Sequence, residues 1–172
     1  MAIFFIIAAV VLRLVPHLPN FAPIAAMALF GGTYFNKKYA LIIPIAAMLV
    51  SDYFLGFYNP WIMISVYGSF VLIGIIGLWI KKHKNLPNII GASLIGSIIF
   101  FLVTNFAVWA VPHSFYPHNL QGLLQSYIMG LPFFKNTLAG DLFYVGAMFG
   151  LYELVLRLTI KRRVVCPVKS KN

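Results

Sequence analysis

Six apolar stretches alternate with short polar joints along the chain, at residues 2–15, 21–35, 38–57, 60–80, 87–111 and 136–160. The joints hold Pro, Asn, Gly and Lys, residues that end helices or occupy turns. The last four stretches reach roughly 20 residues or more, the length at which a helix rising about 1.5 Å per residue crosses a hydrocarbon core of about 30 Å. The first two cover little more than about 20 Å, so they need little tilt, a locally thinned bilayer or shielding by neighbours. Their joint, PHLPNFAP, forbids one continuous helix. In NLQGLLQSYIMGLPFF, Leu120, Leu123, Leu124, Ile128 and Leu131 recur at helical spacing with Gln121, Gln125 and Ser126 between them. That pattern predicts a short interfacial helix around 120–131, lying on the outer surface as a connector or a lid.

The pattern predicts an all-α, polytopic membrane protein with six transmembrane helices, and the composition agrees. Of 172 residues, 62% are hydrophobic and 9% charged, so a water-soluble fold would have nowhere to place its apolar surface. Residues 1–160 read as one transmembrane domain and 161–172 as a basic cytoplasmic tail. The net charge of +10 does not point to nucleic acid, because the basic residues cluster at the ends of apolar runs. Lys37, Lys38, Lys81, Lys82, Lys84, Lys161, Arg162, Arg163, Lys169 and Lys171 fall on one side when six spans alternate from an inside N-terminus. Lys and Arg resist translocation, so both termini of this multi-pass protein are expected in the cytoplasm. Trp61, Trp109, Tyr58 and Tyr116 near the outer ends, with Trp79 and Tyr39 near the inner ends, suit aromatic belts at both interfaces. Residues 2–12 have the length of a signal-peptide core, but no basic residue precedes them and no small-x-small site follows, so they are expected to be retained.

Polar groups inside the spans are few, and this topology brings them to one depth. Arg13 lies at the outer end of the first segment, with His17 and Asn20 in the following joint. Asp52 falls in the outer third of the third segment, Thr104 and Asn105 in that of the fifth, and Asp141 and Tyr144 near the start of the sixth. Charges at mid-membrane cost about 2.5–3.5 kcal/mol on insertion scales, so their convergence predicts an outward-facing polar chamber. Arg13 is expected to pair with Asp52 or Asp141, or to meet an anionic or carbonyl group of a ligand. Asn20 and Asn105 would bond polar edges, and Trp109 with Tyr144 would stack on a ring. Asn105 and Thr104 also suit bonding between helices.

Other features point to structure. Glu153 and Arg157 are spaced as a helical ion pair. Ala22, Ala26, Gly31 and Gly32 form a small-residue stripe for close helix packing or for a partner. Ser93, Ser97 and Thr104 form a comparable stripe on the fifth segment, and Gly146 with Gly150 another on the sixth. His17, His113 and His118 match no metal-ligand spacing. Cys166 has no second cysteine to pair with. Neither a nucleotide loop nor a hydrolase or zincin motif occurs, so no catalytic residue, cofactor or metal is assigned. ATP hydrolysis, where needed, would come from another chain.

The stretches RLVPHLPNFAPIAAMALFGG, SDYFLG, FFLVTNFAVW and YPHNLQGLLQSYIMGLPFFKNTLAGDLFY resemble an uncharacterised bacterial family of integral-membrane transport proteins. At the level of fold that family is similar to the substrate-binding S components of energy-coupling-factor (ECF) vitamin transporters. The resemblance implies six helices with both termini inside, and an outward chamber for a vitamin or cofactor precursor. It also implies a separate transmembrane coupling protein and ATPases as partners, beside the small-molecule substrate and the lipid bilayer. The motif positions it marks are Arg13, His17, Asn20, Phe21, Ser51, Asp52, Gly56, Thr104, Asn105, Trp109, Tyr116, Pro117, Gly140, Asp141 and Tyr144. S components carry their coupling stripe on the first helix, whereas Ala22 and Ala26 stand on the second segment. The cysteine chemistry of some solitary relatives does not transfer to Cys166. Two other readings are a membrane-integral enzyme using Asp52 and Asp141 on a lipid or isoprenoid, and a structural subunit of a membrane complex.

Overall fold

A computed structural model describes residues 2–16 and 18–165, with side chains to residue 159. His17 and the tail from Cys166 onward lie outside the described residues. Among the described residues every regular element is helical: α1 Ala2–Leu14, α2 Ile24–Tyr34, α3 Lys37–Ala40, α4 Ile42–Leu55, α5 Pro60–Ile80, α6 Leu86–Ala110 and α7 Leu120–Val165. Four stretches are long and apolar enough to cross a membrane, Lys37–Leu55, Pro60–Ile80, Leu86–Ala110 and Leu120–Thr159. With 13 and 11 residues, α1 and α2 measure about 20 and 17 Å and fall short of a hydrocarbon core of about 30 Å.

The helix starts follow local chemistry. Asn59 caps α5 by accepting a bond from the Trp61 amide at 3.0 Å, and Asn85 caps α6 from the Asn88 amide at 2.8 Å. A proline follows each cap within the first turn, where its missing N–H costs nothing. The long helices are apolar all round. On α5 the exposed ridge Trp61, Ile64, Leu72, Ile75 and Trp79 is as apolar as the buried one, which includes Ser69, Gly74 and Gly77. Such a surface suits lipid rather than water, with small and polar residues turned inward.

The centre of the bundle is α2. It packs against every other helix, and Ala25 through Thr33 are all buried, as a helix apolar on every side must be. Its small-residue stripe is consumed inside the molecule. A Cβ on Gly32 would come within 2.8 Å of the Gly77 Cα on α5, and Gly31 lies against Pro44 and Ala40. Ala26 is fully buried, and Ala22 lines a cavity. The Gly146 and Gly150 positions on α7 instead face open space.

Two expectations need correction. The short outer helix expected around 120–131 is not a separate element, because α7 is one helix of 46 residues that runs through Pro132. Its first turns stack antiparallel along α6. Tyr127 donates to the Leu102 carbonyl at 3.0 Å, the Phe101 and Phe134 rings lie 4.7 Å apart, and Gly130 abuts Asn105. Gly122, Ser126 and Gly130 form the buried ridge, while Leu120, Leu124, Ile128 and Leu131 are exposed. The leucine face is therefore the outward one, the arrangement that lipid rather than water favours. Second, Glu153 does not take Arg157 as its ion-pair partner. It accepts from Lys84 Nζ and from the Tyr34 hydroxyl, each at 2.6 Å, which ties α7 to α2 and to the joint before α6.

Candidate functional site

About 20–30 Å along the α6 axis from Lys84, five helices and one joint bring polar groups together. Arg13 continues the buried Ile6–Ala9 face of α1, and Ser51 with Asp52 continue the Pro44–Met48 face of α4. The guanidinium bonds Asp52 Oδ1 at 2.5 Å, the Ser51 hydroxyl, and the Met48 carbonyl at 3.3 Å. Asp52 Oδ2 accepts from the Tyr67 hydroxyl at 2.6 Å. Arg13 is 8% exposed and Asp52 1%, so the two charges neutralise each other out of solvent. Of the two carboxylates that sequence offered Arg13, the fold selects Asp52.

The joint between α1 and α2 is held against α7 by the Asn136 amide, which donates to the Pro19 carbonyl at 3.0 Å. Gly140 permits close approach there, since a Cβ would stand 3.1 Å from the Phe21 Cα. Within this joint Asn20 adopts a left-handed φ of 62°, a conformation that asparagine tolerates better than most residues.

Two adjoining cavities open beside this joint. The first, of about 210 Å³, has Arg13, Asn20, Thr137 and Asp141 among its walls, with apolar surface from Leu55, Phe70 and Phe100. The second, of about 220 Å³, adds Thr104, Asn105, Phe101 and Phe134. They share Asn20, Phe100 and Thr137. Taken together they fall in the range of small-molecule sites, roughly 300–1,000 Å³ of mainly apolar wall with a few placed polar groups.

Asp141 differs from Asp52. It is 3% exposed, and its partner is the Ser97 hydroxyl, 2.6 Å from Oδ2. That hydroxyl also lies 3.0 Å from the Ser93 carbonyl, and its single proton serves one acceptor at a time. Among the described residues no cation pairs with Asp141.

The structure thus brings Arg13, Asn20, Thr104, Asn105 and Asp141 to the cavities, with Asp52 directly behind Arg13. Trp109 and Tyr144 are not among the walls of either cavity. The Trp109 indole donates to the Pro117 carbonyl at 3.0 Å and packs on Phe106 and His118, holding the joint after α6. Tyr144 is buried against Phe21 and Phe143. Sequence reasoning missed Thr137, Phe70 and Phe100. Thr137 stands one helical turn before Asp141 and was findable from that spacing; the two phenylalanines, stacked 5.5 Å apart, carry no signal among 16 in the chain. Among the described residues no three His, Cys, Asp or Glu side chains stand together as a metal site.

Neither the curated proteins nor the solved structures contain a match to this chain. The family model of DUF6580, a family of unknown function, matches residues 1–164. With nearly its whole length covered by that match, the chain belongs to the DUF6580 family.

Proposed function

We propose that this protein binds and transports a small, partly polar organic molecule of the size of a vitamin or cofactor precursor. On this reading six spans, with both termini in the cytoplasm, sit in a bacterial inner membrane, and the paired cavities are its outward-facing chamber. One observation carries the reading. In a bundle whose exposed faces are apolar, Asn20, Thr104, Asn105, Thr137 and Asp141 converge from the α1–α2 joint, α6 and α7 on adjoining cavities. Polar groups are costly inside a membrane protein unless they pair or serve a ligand, and a cavity leaves room for the ligand. The ten basic residues on one side support the orientation.

The resemblance to S components supports a role in substrate capture, with a coupling protein and ATPases supplying the energy. Because Gly31, Gly32 and Ala26 are buried, such a partner would dock on another face. An enzymatic use of two aspartates has less support, since Asp52 is committed to Arg13 and Tyr67.

The test is ligand retention and uptake. Protein extracted in mild detergent is examined by mass spectrometry for a retained small molecule, and a vitamin panel is screened for thermal stabilisation. Asn105→Leu removes a polar wall and is expected to lower uptake with membrane insertion unchanged. Absence of any retained or stabilising compound refutes the binding reading; normal uptake by Asn105→Leu removes Asn105 from the site.

A further inference from the structure

Among the described residues the ionisable groups around the chamber do not all find a partner of opposite charge. Arg13 and Asp52 neutralise each other through a 2.5 Å ion pair, which leaves Asp141 as a carboxyl group with no cation beside it. Its residue is 97% removed from solvent, yet it lines the first cavity. Its one neutral partner, Ser97, shares a single proton with the Ser93 carbonyl. A buried carboxylate carries a desolvation penalty of several kcal/mol unless a cation and hydrogen-bond donors offset it. This one has a half-share of a hydroxyl proton and empty space in front of it.

We infer that the chamber takes a small organic cation, a protonated amine carried on an apolar ring or chain, with Asp141 as its counter-ion. The inference rests on reading the cavities as a substrate site and adds the ligand's charge. The walls argue for an organic cation over a bare metal ion. A hard metal ion asks for about six oxygen ligands, whereas Leu55, Phe70 and Phe100 make much of this cavity hydrocarbon. An ammonium group needs less. Asp141 accepts one N–H, the Thr137 hydroxyl and the Asn20 amide oxygen offer further acceptors on the same wall, and Phe100 presents an aromatic ring to the charge or to the ligand body. Thr137 donates its own proton to the Phe133 carbonyl at 3.1 Å, so toward the cavity it acts as an acceptor. Arg13 does not oppose the ligand with a free charge, because Asp52 stands against it.

The test uses the full-length protein in nanodiscs at neutral pH and matched probes that differ only in the charged group: benzylamine, benzyl alcohol and benzoate, with their naphthylmethyl equivalents. Binding is followed by thermal stabilisation and titration calorimetry. The amine is expected to bind at least about tenfold more tightly than the alcohol, as a charge-assisted bond to a buried partner implies. Benzoate should be weakest, and Asp141→Asn should erase the amine's advantage. The wild-type comparison needs no variant, so it holds even where Asp141→Asn fails to accumulate. Equal binding of amine and alcohol, preference for benzoate, an amine preference that survives Asp141→Asn, or stabilisation by sodium chloride alone overturns the inference. Binding of neutral or anionic probes only would overturn this charge assignment while leaving the chamber reading intact. Silence across these probes and the vitamin panel together would overturn both.

Discussion

Arg13 separates a structural ion pair from a ligand contact, and the two roles predict opposite results for Arg13→Met. The side chain makes three bonds, to Asp52, Ser51 and the Met48 carbonyl, and removing it leaves Asp52, 1% exposed, with the Tyr67 hydroxyl alone. Breaking a buried pair from one side costs about 3–5 kcal/mol, because a charge stays behind uncompensated. Against a typical total of about 5–15 kcal/mol, that is enough to lower the folded yield visibly. Asp52→Asn should cost a similar amount by stranding the guanidinium. The double variant Arg13→Met/Asp52→Asn strands no charge and retains mainly the loss of hydrogen bonds, about 1–3 kcal/mol. The double-mutant cycle should therefore show coupling of about 2 kcal/mol or more. Reversible unfolding by SDS in mixed micelles, followed by tryptophan fluorescence, measures all three. Additive losses in the double variant would refute the pair as a structural unit. So would an Arg13→Met protein of wild-type stability that has lost only its uptake, since that outcome returns Arg13 to the ligand.

Gly32→Ala should cost about 1–3 kcal/mol in the same titration, since its Cβ would press on the α5 backbone at Gly77, which has no side chain to move aside. Gly68→Ala, on the open face of α5, should be neutral or slightly stabilising, as the higher helix propensity of alanine implies. Gly130→Ala places a methyl 2.8 Å from the Asn105 Cγ, on the second cavity's wall; ligand titration should show weaker binding with stability changed less than by Gly32→Ala. Lys84→Ala removes a half-exposed ion pair with Glu153 and should cost under about 1 kcal/mol, which thermal unfolding at two salt concentrations can read.

Much of this architecture is legible in the order of residues because lipid, proline and asparagine each leave a mark. Asn59-Pro60 and Asn85-Leu86-Pro87 announce the starts of α5 and α6 through cap and ring chemistry. Helix α7 was harder for a physical reason. By hydropathy the apolar span begins only at 136, and the leucines at helical spacing in 120–131 read as the buried side of a separate surface helix. In lipid, neighbouring groups can re-satisfy the backbone around a proline such as Pro132, and leucine is as comfortable outside as inside. The informative positions were Gly122, Ser126 and Gly130, four apart and buried, the last two against Asn105 of α6 and Gly122 against Pro117.

The same logic limits what sequence could say about the charged residues. Arg13, Asp52 and Asp141 were placed at one depth by hydropathy and loop charge alone, but which aspartate answers Arg13 depends on helix rotation. Met48, Ser51 and Tyr67 decide it. A carbonyl and a hydroxyl beside Asp52 give the guanidinium further acceptors, and Tyr67 satisfies the second carboxylate oxygen, whereas Asp141 has Ser97 and a cavity. With the guanidinium paired to Asp52, an anionic ligand group at Arg13 would have to share it with that carboxylate. Among the described residues the carboxyl group left without a cation is Asp141, on a wall shared with Asn20 and Thr137. On the proposed reading of the cavities as a cation site, the choice of partner for Arg13 is what sets the sign of the ligand.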